Sequence, residues 1–164
     1  MAGNIRFEVV TPEKIVVDEE AQIVAAPGVL GEFGALVGHT PFLTPLKTGV
    51  IHYTDTSGKE RFVFVSGGFA ETLPDKITVL AESAERRSDI DLERAKAAME
   101  RARERLSKSK GDDMDFVRAR AALERSLVRL RLAGGSSRGA SAQDSTTKPR
   151  SHTGSDCVRC PSSS

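Results

Sequence analysis

Residues 90–132 read IDLERAKAAMERARERLSKSKGDDMDFVRARAALERSLVRLRL, and their periodicity decides the architecture of the second half of the chain. Leu92, Ala95, Met99, Ala102 and Leu106 alternate in steps of three and four, and so do Phe116, Ala119, Leu123, Leu127 and Leu130. That spacing builds two helices, each with an apolar stripe for the other. Ser88 followed three residues later by Asp91 has the spacing of a capping box, which starts the first helix and carries it to about Leu106. Lys108-Ser109-Lys110-Gly111 breaks the pattern, with Gly111 suited to a C-terminal cap and Asp112 to capping a second helix that runs to about Leu132. A link this short makes the helices an antiparallel hairpin.

Beside the apolar seam runs a second stripe. The first helix carries Asp91, Arg94, Arg101 and Arg105, and the second carries Arg118, Arg125 and Arg129. In a hairpin turning near Lys110, Asp91 falls opposite Arg129 and Arg94 falls near Arg125. Guanidinium groups crowded in this way repel unless an anion or carboxylate lies between them, and their planar forks suit phosphate or an acidic protein surface. The bland alternative is a solvated face of intrahelical pairs such as Glu100–Arg103 and Arg101–Glu104, worth about 0.3–0.5 kcal/mol each.

Upstream of this region the periodicity changes to that of strands. Ile5, Phe7 and Val9 alternate with polar residues and stop at Thr11-Pro12; Gln22 to Ala26 is closed by Pro27-Gly28. Val50 to Tyr53 and Arg61 to Val65 flank the turn Asp55-Thr56-Ser57-Gly58, and Ile77 to Ala81 follows Pro74-Asp75. Closely spaced short strands predict a sandwich or barrel over residues 1–84, followed by the hairpin over 85–132. Residues 133–164 are rich in Ser, Gly and Thr without period and read as a disordered tail.

Charge divides along the same lines. Residues 1–84 hold 6 basic and 11 acidic side chains, residues 85–132 hold 14 and 10, and the remainder 4 and 2, so a net charge of +1 hides two halves of opposite sign. No apolar run approaches the roughly 20 residues that span a bilayer, and the N-terminus lacks the core of a signal peptide, so a soluble or peripheral intracellular protein is expected. There is no phosphate-binding loop motif, no Gly-x-Ser-x-Gly elbow and no His-Glu-x-x-His. Ser66-Gly67-Gly68 reads as a tight turn that needs glycine's conformational freedom. His39, His52 and His152 lie at no ligand spacing from acidic or cysteine clusters, and Cys157 and Cys160 form a lone Cys-x-x-Cys that lacks two further ligands. No metal site and no catalytic constellation is expected.

Taken in order, the motifs carry a resemblance. Val9-Val10-Thr11-Pro12, then Gly31-Glu32-Phe33-Gly34-Ala35-Leu36-Val37-Gly38-His39-Thr40-Pro41-Phe42, then Phe64-Val65-Ser66-Gly67-Gly68-Phe69, then Pro74 to Ala81, then Ile90-Asp91-Leu92-Glu93-Arg94-Ala95 resemble the epsilon subunit family of bacterial rotary ATP synthases across residues 1–132. Phe33 and Ala35 stand where Leu and Ile are more usual. The resemblance implies a β-sandwich of about ten strands followed by a two-helix antiparallel hairpin. It implies a non-catalytic central-stalk subunit at the cytoplasmic face of the bacterial inner membrane. Its partners are gamma, the ring of c subunits and the beta subunits, and it needs no cofactor beyond a regulatory ATP.

Residue by residue, the resemblance places Glu32, His39 and Phe42 at the gamma and rotor-ring contact. It assigns Glu85, Ile90, Asp91, Arg94, Ala95, Arg101, Arg125 and Arg129 to regulatory ATP binding on a folded hairpin. Arg118, Arg125 and Arg129 are the contacts to beta when the hairpin extends and brakes hydrolysis. Two other readings stay open: a basic hairpin module for nucleic acid or another anionic partner, which ten acidic residues in the same segment oppose, and an enzyme with its active site on the sandwich.

Overall fold

The computed structural model describes residues 3–108 and 114–135. The expected hairpin turn, with Gly111 and Asp112 as caps, and the tail with Cys157 and Cys160 lie outside the described residues. Nine strands come first: β1 (Ile5–Val10), β2 (Ile15–Gly28), β3 (Gly31–Ala35), β4 (Phe42–Leu46), β5 (Gly49–Asp55), β6 (Glu60–Val65), β7 (Gly68–Thr72), β8 (Lys76–Leu80) and β9 (Ala84–Arg86). A 3-10 turn over Arg87–Asp89 leads into α1 (Leu92–Lys108) and α2 (Met114–Ala133).

The strands form two layers that share β2. Its first half pairs antiparallel with β1, which pairs in parallel with β8, and the order continues through β7 to β4. Its second half pairs with β3 and β5, and β5 leads on to β6 and β9. Gly28 opposite Leu46 joins β2 to β4 and closes the other end. Register shifts beside Val9–Val10 and between Ala21 and Ile23 let β2 turn from one layer to the other, the usual effect of a bulge. The same shift explains why Val16 and Val17, adjacent in sequence, are both buried.

Between the layers lies the core. Ile5, Phe7, Val9, Val24, Ile51, Ile77 and Val79 are all 0% exposed, as the alternation in β1, β5 and β8 predicts. Burying side chains of this size contributes about 1.5–3 kcal/mol each. Phe7 packs against Tyr53 with ring centroids 4.9 Å apart. Tyr53 donates its hydroxyl hydrogen to Glu19 at 2.9 Å, and Glu19 in turn pairs with Arg86 at 2.7 Å. Arg86 also donates to the Val16 carbonyl at 2.9 Å, so β9 is fastened to β2 as well as to β6. Sheet pairing therefore reaches Arg86, and the helical segment departs just after it.

The β5–β6 hairpin forms where the Asp-Thr-Ser-Gly turn predicts. Asp55 accepts from Ser57 N, Lys59 N and Arg61 Nε at 2.9–3.0 Å, and the Ser57 hydroxyl and these N–H groups hold its carboxyl well below the usual range. Ser66-Gly67-Gly68 is the tight turn expected, with φ of 68° at Gly67 and 112° at Gly68. A Cβ on Gly68 would lie 2.0 Å from the Leu80 carbonyl oxygen.

The helices depart from expectation at their start. Ser88 belongs to the 3-10 turn and donates to Asp89 at 2.9 Å, so it caps nothing. Asp91 is the cap instead: its Oδ1 accepts from Arg94 N at 3.1 Å and its carbonyl accepts from Ala95 N, satisfying donors that a helix start leaves bare. In the seam, Ala95, Ala102 and Ala119 are buried as predicted, but Leu92 is 41% exposed, because Ile90 makes the apolar contact at this end. There Ile90 joins Phe64 and Leu132, flanked by Val50, Phe62 and Val128, in a second small core between α2 and the β5–β6 face.

Two outcomes test this packing. Gly68→Ala should cost about 2–4 kcal/mol in urea unfolding, because the new methyl meets backbone and the conformation disfavours it. Burial and the Glu19 carboxylate push Tyr53 up to about 12 from 10.0. Since the folded value is the higher one, the stability it contributes is full below pH 10 and is lost between pH 10 and 12. The chain has one Tyr and no Trp, so phenolate absorbance isolates this group. Tyr53→Phe should flatten the alkaline loss of stability.

Candidate functional site

Where α2 ends against the sandwich, Arg129 reaches back across 44 residues of sequence. Its Nε and Nη2 both donate to Glu85 Oε1, at 3.1 and 2.8 Å, and Nη2 lies 3.4 Å from the Ser83 hydroxyl. The guanidinium carbon sits 4.1 Å from the centroid of the fully buried Phe64 ring. Strand β9 fixes Glu85, because Phe64 and Glu85 are direct partners in the β6–β9 ladder. A part-buried cation over an aromatic face contributes about 1–2 kcal/mol. Arg129 thus anchors α2 to the sheet.

This anchor forms one corner of a cleft of about 570 Å³ between hairpin and sandwich. Asp91, Arg94, Ala95 and Arg101 of α1 line it, with Ser126 and Arg129 of α2, Glu85 of β9 and the turn between β1 and β2. The helical period brings these residues together: from Asp91 to Arg94, Ala98 and Arg101 the steps are three, four and three, so one stripe of α1 faces the opening. Six of the eight residues assigned to ATP by resemblance, Glu85 among them, therefore meet in one cleft. Ile90 and Arg125 do not line it. Ile90 is buried in the small core with Phe64 and Leu132, and Ser126 occupies the wall where Arg125 was expected. Arg125 is half-buried one turn before Arg129.

The bland pairing pattern is partly realised. Glu100 and Arg103 lie 3.5 Å apart, but Glu104 pairs with Lys108 at 2.6 Å rather than with Arg101. Arg118 is exposed on the first turns of α2, 3.9 Å from Asp115, and is remote from the cleft.

The residues assigned to the gamma and rotor-ring contact lie outside this cleft. Glu32 lies in β3, not in a loop, and its carboxylate meets His52 Nε2 of β5. The sequence placed no acidic residue near His52, because this partner comes from another strand. Among the described residues no group of His, Cys, Asp and Glu could hold a metal ion. His39 directs Nδ1 at the Thr40 carbonyl, 2.8 Å away, and its ring lies 5.1 Å from Phe42, which meets Phe33 edge-on at 5.0 Å. Leu30, in the turn between β2 and β3, is 99% exposed.

A surface that sequence reading missed runs across the outer sheet. Strand register sets Pro45, Phe69, Leu80, Val10 and Ile15 in one row over five strands, with Phe69, Leu80 and Ile15 all more than half exposed. The signal was present in β8, where Leu80 breaks the inward alternation of Ile77 and Val79. Only the register shows that it has apolar neighbours.

Comparisons with known proteins agree with this architecture. The family model described as "ATP synthase, Delta/Epsilon chain, beta-sandwich domain" matches residues 4–87, and "ATP synthase, Delta/Epsilon chain, long alpha-helix domain" matches residues 88–134. The ATP synthase epsilon chain of Desulfosudis oleivorans is 70% identical over 106 residues, which cover 65% of this chain and 80% of that one. That of Desulfatibacillum aliphaticivorans is 67% identical over 106 residues, covering 65% and 75%. A chain in the cryo-EM structure of the Euglena gracilis mitochondrial ATP synthase shares the fold, with a TM-score of 0.65 at 23% identity over 76% of this chain and 78% of that one. With both of its halves matched in order, the chain belongs to the ATP synthase delta/epsilon chain family, among the epsilon chains.

Proposed function

We propose that this chain works as a nucleotide-sensing regulator within the central stalk. As an epsilon chain it is a non-catalytic subunit of ATP synthase. The finer reading assigns its sandwich to docking on gamma and the ring of c subunits, and its hairpin to control of hydrolysis. Docking would use Glu32, His39 and Phe42, together with the apolar row through Phe69, Leu80 and Ile15, since such a row in an isolated chain is what a partner covers. Among the described residues no helix is long and apolar enough to cross a membrane. A peripheral place on the cytoplasmic face of the inner membrane, held through the rotor, belongs to the same proposal.

The observation that carries the regulatory reading is the cleft. It brings Asp91, Arg94 and Arg101 from α1 against Arg129 and Glu85, and its volume lies in the range of about 300–1,000 Å³ usual for ligand pockets. Arginine forks suit a phosphate chain, while a carboxylate such as Asp91 can accept from ribose hydroxyls or an exocyclic amine. ATP would be a regulatory ligand here and would undergo no chemistry.

Control follows from where the cleft lies. Its walls come from both halves of the chain, so it exists only while the hairpin is folded on the sandwich. A ligand bound to that state alone stabilises it by RT ln(1 + [ATP]/Kd), about 2.7 kcal/mol at a hundredfold excess over Kd. When the hairpin leaves, Arg129 loses Glu85 and Phe64. With Arg118 and Arg125 it becomes available to acidic surfaces of beta, and the inserted hairpin opposes hydrolysis.

Calorimetry on the isolated protein with ATP, ADP and GTP at fixed salt tests this reading. Saturable, ATP-preferring binding is expected, with at least a tenfold loss in Arg94→Ala, as befits one charge-assisted contact. Because Arg125 stands outside the cleft wall, Arg125→Ala should lose less. No heat up to millimolar ATP would reduce the arginines to contacts for other subunits.

A further inference from the structure

The sandwich wall of the cleft contains a cation that no family motif points to. The turn between β1 and β2 puts Thr11, Glu13 and Lys14 on the cleft lining. The turn is rigid by construction. Thr11 N and Thr11 Oγ1 donate to the Lys14 carbonyl at 3.0 and 2.8 Å, and Lys14 N donates back to Thr11 Oγ1 at 3.2 Å. One residue earlier, the Val10 carbonyl accepts from Ala81 N at 2.9 Å, which ties the turn to the Glu82–Glu85 wall. The backbone of Lys14 is therefore positioned by the sandwich core, and its side chain alone remains to be placed.

Charge pairing in the cleft separates its cations into two kinds. Arg129 is committed to Glu85. Among the described residues Arg94, Arg101 and Lys14 make no ion pair. Three of the five carboxylates on the walls are already engaged: Glu85 by Arg129, Asp91 by the first turn of α1, and Asp89 by Ser88. The remaining two, Glu13 and Glu82, belong to the sandwich wall, where Lys14 is the single cation among the described residues. Without Lys14 that wall would present only acidic charge to an incoming anion.

Arg94 and Arg101 are seven residues apart, hence about 10 Å along α1. A ligand that satisfies both and also Lys14 on the sandwich wall of the same cleft must be an extended polyanion with several charged groups. We infer that Lys14 is a phosphate-binding residue of this cleft, through which a nucleotide's polyphosphate chain bridges the sandwich to α1. This rests on the nucleotide reading above and adds to it. The ligand would tie the hairpin to the sandwich directly, instead of acting only between the two helices. The number of phosphates would then decide how firmly the folded state is held.

The test uses the full chain, with ATP, ADP and AMP as probes, by calorimetry at two salt concentrations. Lys14 is exposed, so Lys14→Ala should fold as the parent does. It should bind ATP about tenfold more weakly, from the loss of one charge-assisted contact, and should show a shallower salt dependence. AMP binding should change by less than twofold, and Lys14→Arg should restore most of the ATP affinity. Parent-like ATP binding by Lys14→Ala would overturn the role of Lys14 while leaving the nucleotide site standing. Equal losses for ATP and AMP would also overturn it, by showing that Lys14 shapes the cleft without meeting phosphate. A parent chain that binds none of the three would sink the nucleotide reading and this inference together.

Discussion

The structure depends on one strand serving two layers. β2 is 14 residues long and pairs in turn with β1, β5 and β3, then meets β4 at its last residue. Every other strand is seven residues or shorter. A flat strand of that length would leave half its ladder unpaired and exposed. The two register shifts turn it instead, so that Val17 and Val24 both reach the same core from different layers. Once β2 closes the sandwich, the positions of β9 and of the β1–β2 turn follow, since Arg86 bonds to Val16 and Ala81 to Val10. The sandwich wall of the cleft is thus set by the core itself.

The hairpin is attached by much less. The main core gathers buried side chains from nearly every strand, whereas the contact between α2 and the sheet is the trio Phe64, Ile90 and Leu132 with partly buried flanks. The Arg129 anchor adds a few kcal/mol at most, since its partners are part-exposed and the desolvation of a charge pair offsets much of its attraction. Segments held by few apolar contacts open at lower free energy than the domain that carries them. The sandwich can therefore stay folded while the hairpin moves. A ligand contribution near 3 kcal/mol is comparable with the whole attachment and small beside the core, which is the ratio a reversible regulator requires.

How much of this was legible in the sequence depended on whether a feature was local. Period-two alternation in β1, β5 and β8 and the three-four spacing of Ala95, Ala102 and Ala119 report directly on burial, so the two-part architecture could be read. The short strands β3, β4, β7 and β9 could not. Residues 31–35 hold two glycines and the β4 residues include Pro45, and their strand character comes from neighbours that complete their hydrogen bonds. Residues 15–20 of β2 hid for another reason: the bulge breaks the alternation on which recognition rests. At the helix start, Ser88 and Asp91 each precede a donor by three residues, so spacing alone could not choose between them. The 3-10 turn over Arg87–Asp89 chose, by placing Asp91 at the first helical turn. For the site, helical counting brought Asp91, Arg94 and Arg101 to one stripe, but the engagement of Arg129 with Glu85 spans 44 residues and is set by the β6–β9 ladder.

That long-range pair changes what the arginine stripe can do. Counting along the helices suggests a set of equal, mutually repelling cations waiting for an anion. In the folded structure they are unequal. Arg129 is neutralised and stacked on Phe64, so it stabilises the folded hairpin with no ligand present, and its availability to another subunit requires that the hairpin leave. Among the described residues Arg94 and Arg101 carry no such partner, which leaves their charge for whatever enters the cleft. Under the proposed function, one residue would hold the folded state while its neighbours would sense the ligand. The two proposed roles are separable because Glu85 and the cleft-facing turn both belong to the sandwich, whereas Arg94 and Arg101 belong to α1. A change at Arg129 should therefore shift the balance between folded and extended hairpin even without nucleotide, whereas a change at Arg94 should alter only how that balance responds to it.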